Sequence, residues 1–143
     1  MRFQHERRNL VKTLEQLAAT GADARQIAEA SVAVWSAIDG ALSPVIGPRG
    51  SSALYKRSIH LARASYPWLA AAYEGAGRPG DFSALNVALA AQTAVHAAAA
   101  HDAVLKIFHD LLADLIGRSL TQRLLQSVWD SPFNGAAAQD NPS

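Results

Sequence analysis

The chain has 143 residues, half of them hydrophobic and 17% charged, with a formal net charge of +1. That length and balance suit one folded domain with its own core and exclude a disordered polyelectrolyte. The lack of cysteine excludes disulfides, thiolate catalysis and cysteine zinc sites, and the near-neutral charge excludes a global field that would draw the chain onto nucleic acid.

Leu10, Leu14 and Leu17 recur at helical spacing between Arg7, Arg8, Lys12 and Glu15, which predicts an amphipathic helix over residues 3–19. Gly21 is its stop. Asp23 and Gln26 stand as a capping box and open a second helix carrying Ile27, Val34, Ile38 and Leu42. Pro44, Gly47, Pro48 and Gly50 predict an irregular segment where that helix ends. A third helix is expected from about Ser51 to Ala64, with a break at Pro67 and a short helix from Trp68 to Tyr73. Gly75 to Gly80 reads as a loop. Asp81 then caps a long helix reaching Ile116, with a candidate bend at alanines 97–100. Gly117 ends it, Ser119 and Gln122 form a second capping box, and a last helix runs through Trp129 to Pro132.

No segment alternates with period two, so no strand is expected. The reading is an all-α fold: an antiparallel bundle of five or six helices with one long helix at about 81–116. Residues 1–132 form one helical domain and 133–143 a disordered tail. Alanine is the most frequent residue, which favours close helix packing. The alanine-rich stretch 88–100 suits either the core or the seam of a homodimer. The polar start of the chain has no apolar core of a secretory signal, and no run of about 18 apolar residues predicts a membrane span. A cytoplasmic protein with no membrane or nucleic-acid partner is the expectation.

A correspondence appears at an offset of 70. Leu42, Val45, Ile46, Gly47, Ser51 and Leu54 fall on Leu112, Leu115, Ile116, Gly117, Thr121 and Leu124. Two readings stand open: shared turn chemistry at two helix–glycine–helix joints, or an internal duplication. Either describes two helical hairpins rather than an activity.

The candidate chemistry centres on Lys56, His60 and Arg63, which share one side of a helix, with Arg57 flanking and Arg49 just upstream. Cations around an imidazole suit a carboxylate-rich or phosphorylated partner. The 70-residue offset gives this face no counterpart, because Gln126, Asp130 and Phe133 stand there instead. The histidines of the 81–116 segment, His96, His101 and His109, do not converge at metal-ligand spacing, so neither a metal nor another cofactor is expected. His101 falls on the apolar stripe near Phe108. With Trp35, these two are the candidates for a ligand pocket inside the bundle. Gly75, Gly77 and Gly80 match a dinucleotide fingerprint in letters only, since no strand precedes them. No nucleophile, base and oxyanion donors converge, so an enzyme ranks last.

His60-Leu-Ala-Arg-Ala-Ser65 resembles the histidine-phosphotransfer family, which implies phosphoryl transfer at His60. It departs from that family at Arg63, where lysine is usual, and at Ala64, where glycine is usual. The string of residues 42–58, followed by Pro67-Trp-Leu69, resembles a group of small helical proteins of bacteria that accompany signalling components. That resemblance implies a context, with a response regulator or sensor kinase as partner. The leading expectation is a non-enzymatic signalling module that docks a partner through Arg49, Lys56, Arg57, His60 and Arg63. The alternative is a small-molecule sensor.

Overall fold

The computed structural model describes Leu14 and residues 16–129, with Ser127 and Trp129 described by backbone alone. The start of the expected first helix, the side chain of Trp129 and the expected tail at 133–143 lie outside that description. Every regular element among the described residues is helical. Helical residues 16–19 precede α1 (Ala24–Ala62), a 3-10 turn (Pro67–Leu69), α2 (Ala70–Glu74), α3 (Ser83–Ala90), α4 (Ala94–Ile116) and α5 (Arg118–Trp129). The all-helical class is the one expected.

Three boundaries differ from expectation. The longest helix is α1, not the 81–116 segment. Residues 81–116 split because Thr93, in extended conformation, accepts the His96 amide at 3.1 Å and starts a new helix. The glycine–proline segment after Leu42 stays helical except at Gly47, whose φ of 84° and ψ of 155° divide α1 into two arms, residues 24–46 and 48–62. Pro48 follows at the start of the second arm, where its missing N–H has no intrahelical partner to lose. Ser119 does not cap α5. The chain turns at Gly117 itself, and Thr121 donates to the Gly117 carbonyl at 2.7 Å. The Asp23–Gln26 capping box is present, with both reciprocal bonds at 2.9 Å.

The 70-residue correspondence extends through the fold as two matching helix–glycine–helix units. The caps Asp23 and Thr93, the helix starts Ala24 and Ala94, the ends Ile46 and Ile116 and the elbows Gly47 and Gly117 all obey it. Gly117 has φ 89° and ψ 156°, almost the backbone of Gly47. Burial repeats in step: Ile27, Ser31, Val34, Trp35, Ile38, Leu42, Ser51 and Tyr55 are buried, and so are Ala97, His101, Val104, Leu105, Phe108, Leu112, Thr121 and Leu125. Shared turn chemistry accounts for the elbows but not for a burial pattern that holds along both arms. Residues 63–82, with the 3-10 turn and α2, are an insertion between the two units.

α1 packs most extensively on α4. Ser31 meets His101, and further along both helices Trp35 meets Phe108. Contacts therefore advance together, so the first arm and α4 run past one another in the same sense. The alanine-rich stretch serves this packing: Ala97, Ala98 and Ala100 are buried inside the chain. By length and composition α1 is also apolar enough to cross a membrane, and 28% of its apolar window is buried inside the chain.

Both elbows occupy a backbone region that is essentially restricted to glycine. A Cβ at either would meet nothing within 4 Å, so its cost is backbone strain alone. Gly47→Ala and Gly117→Ala should each lower stability by about 1–3 kcal/mol, and by similar amounts, in urea denaturation.

Candidate functional site

Two sets of side chains carry the polar chemistry of the fold. The first lies in the seam between the matching arms. Trp35 packs edge-on against Tyr55 at 5.1 Å and against Phe108 at 5.0 Å, and Tyr55 packs against Phe82 at 4.9 Å. These rings tie both arms of α1, the insertion and α4 into one core. The space beside them, bordered by Trp35, Ser51, Tyr55 and Phe108, is about 10 Å³, enough for one water-sized group. Trp35 Nε1 is buried there without a partner among the described residues. Burial pushes the Tyr55 phenol well up, and the Asp81 carboxylate adds to the effect, so Tyr55 stays protonated.

His101 does not border that space. It sits a turn away, 2% exposed, with Nδ1 2.7 Å from the Ser31 hydroxyl. Of the three residues expected at a ligand pocket, Trp35 and Phe108 border this small space, and His101 is buried apart from it. Ser31 and His101 are equivalent positions of the two units and touch one another. Burial pushes the His101 imidazole down to about 4, and Nε2 has no partner among the described residues.

That depression has a definite sign. Below about 6.5 the unfolded chain takes up a proton that the folded chain refuses until about pH 4. The stabilisation is thus complete above 6.5 and is lost as pH falls toward 4. From pH 7.5 to 5.0, wild-type protein should lose about 2 kcal/mol more stability than His101→Asn, measured by urea denaturation at each pH.

The second set lies on the outer side of the second arm. Residues 49, 53, 56, 57 and 60 follow helical spacing along one stripe. The insertion lays Tyr73 of α2 across its end. The Tyr73 ring lies 5.3 Å from the His60 ring, with Lys56 Nζ 5.7 Å and Arg63 Cζ 5.0 Å from its centroid. Each cation–ring contact contributes about 0.5–1 kcal/mol at such a half-exposed position and holds the head group in place. Ala53, Lys56, Arg57, His60 and Tyr73 line an open groove of about 350 Å³, with no acidic residue among them.

Arg63 fixes the state of the histidine. Its Nη2 lies 2.6 Å from His60 Nδ1, and its Nε donates to the His60 carbonyl at 3.3 Å. A guanidinium only donates, so Nδ1 accepts and the ring proton sits on Nε2. Arg63 backs the groove without lining it, and exposed Arg49 lies further up the stripe, outside the groove. Of the five residues expected at this site, the structure thus joins Lys56, Arg57, His60 and Arg63, and leaves Arg49 apart.

Sequence reasoning missed Tyr73. Only the path of the insertion carries it onto His60, and no spacing along the chain reports that. The Gly75–Gly80 segment is a plain connection between α2 and α3, where a Cβ on Gly75 would fall 2.6 Å from the Cβ of Ala84. Asp81 is not the cap expected of it: the N-cap of α3 is Phe82, with no side-chain cap bond, and Asp81 stands one residue earlier, accepting from the amide and the hydroxyl of Ser83 at 3.0 and 2.6 Å. No set of three His, Asp or Glu side chains able to hold a metal occurs among the described residues. No known family, curated protein or solved structure matches the chain.

Proposed function

We propose that the protein is a binding module that docks an acidic protein partner through the groove of Lys56, Arg57, His60 and Tyr73, backed by Arg63. The observation that carries this reading is that the lining is cationic, without a carboxylate, and held in place by Tyr73. The matching units add support. The matching arm carries Gln126 where Lys56 stands and Ser127 where Arg57 stands, so its sequence does not repeat the basic lining. Features of a shared scaffold repeat, whereas this one was built on top of it.

The reading makes His60 a donor rather than a phosphoacceptor. Phosphoryl transfer needs a ring nitrogen with a free lone pair. Here Nδ1 accepts from Arg63 and Nε2 carries the proton. A response regulator or sensor kinase, the partner implied by resemblance, remains the candidate class, in a cytoplasmic setting.

Polyglutamate serves as a probe of docking. Wild type should bind it with an affinity that falls as salt rises, and Lys56→Glu with Arg63→Glu should abolish binding while helicity is unchanged. Undiminished binding by the double variant overturns the docking face. An acid-labile phosphate on wild type, absent from His60→Gln after incubation with a phosphorylated receiver domain, overturns the donor role.

A further inference from the structure

Resting on the docking reading, we propose that the groove beside Tyr73 receives a single phosphoryl group of the partner, the dianionic monoester of a phosphorylated serine or threonine side chain. The donors fit such a group better than they fit scattered carboxylates. Lys56, Arg57 and His60 approach one groove from successive turns of a single helix, and Tyr73 closes its far side. A carboxylate offers two oxygens in a plane. A phosphomonoester offers three outward-facing oxygens and about twice the charge, so it meets donors arriving from several directions at once.

The state of His60 agrees with that occupant. With Nδ1 held by Arg63, the ring presents an N–H to the groove rather than a lone pair. An acceptor-only ligand suits this, and a dianion has no donor to clash with the surrounding cations. Arg63 stands outside the lining, held by its bond to His60 and by the Tyr73 ring 5.0 Å from its Cζ. The apolar wall from Ala53 and the Tyr73 ring accommodates the carbon stem of the esterified side chain. A volume of about 350 Å³ holds one phosphorylated side chain and a little flanking backbone, at the lower end of the roughly 300–1,000 Å³ common for small-ligand sites.

The charge distribution favours a phosphorylated protein over a nucleic acid. Nucleic-acid binding draws its affinity from many phosphates along a basic track. Here the net charge is only +1, and the stripe offers Arg49, Lys56 and Arg57 rather than a long basic track.

The test titrates the full-length chain at fixed ionic strength with the blocked peptide Gly-Gly-phosphoserine-Gly-Gly. The same peptide carrying serine or glutamate, polyglutamate, and a short oligothymidylate are titrated in parallel. The phosphopeptide should bind about tenfold or more tighter than its glutamate counterpart, shifting the resonances of Lys56, Arg57, His60 and Tyr73. Lys56→Gln with Arg57→Gln, both on the outer stripe, should remove that preference while helicity is kept and thermal unfolding falls by no more than the few degrees that loss of the Lys56–Tyr73 contact entails. Equal binding of the phosphoserine and glutamate peptides, with polyglutamate still bound, overturns the phosphoryl claim and leaves the docking reading standing. Failure of polyglutamate and phosphopeptide alike overturns both. A preference that survives in the double variant, or tighter binding of the oligothymidylate than of the phosphopeptide, also overturns the proposal.

Discussion

The seam between the first arm of α1 and α4 is the constraint on which the rest of the structure depends. It brings two equivalent helices together so that equivalent residues, Ser31 and His101, touch. A polar pair in such a place fixes register. Sliding either helix by one turn would bury the imidazole against apolar side chains and leave both nitrogens without partners. The aromatic set of Trp35, Tyr55, Phe82 and Phe108 then extends the seam outward to the second arm and the insertion. The elbows at Gly47 and Gly117 follow from the same geometry, since each must fold its unit's last helix back on the seam.

The matching units and the insertion divide the labour. The repeated part, from the caps Asp23 and Thr93 to the helices after the elbows, is scaffold, and its polar side chains are caps or core bonds. The unrepeated part is residues 63–82 together with the face of the arm beneath them. There the chain places cations and a histidine where the matching positions carry Gln126, Ser127 and Asp130, with Tyr73 laid beside them. A fused pair of units can change one copy of a surface and keep the other, which a symmetric homodimer cannot do. The one-sided groove is a product of that freedom.

Much of this was legible along the chain, and the limits have physical causes. Asp23 and Gln26 announced a cap because the capping box is local. Gly117 announced a stop because only glycine takes its backbone angles without strain. The break at Thr93 went unread because its flanking alanines favour helix on both sides, and one side-chain bond decided the matter. The relation of Lys56, His60 and Arg63 was visible as spacing on one helix. Tyr73, and the bond from Arg63 that sets the tautomer of His60, depend on tertiary path and rotamer. The separation of His101 from the space that Trp35 and Phe108 border was hidden for a similar reason. Spacing put large side chains on the buried stripe without showing that their rings would pack against one another.

The central claim is that Arg63 holds His60 as a hydrogen-bond donor and so makes the groove a receptor. The most direct measurement is long-range proton–nitrogen correlation of the His60 ring at pH 7.5, in wild type and in Arg63→Gln. The account predicts an Nε2–H tautomer with a hydrogen-bonded Nδ1 in wild type, and a shift of the Nδ1 resonance when the guanidinium is removed. A ring that carries its proton on Nδ1, or one whose nitrogens do not respond to the loss of Arg63, would contradict it.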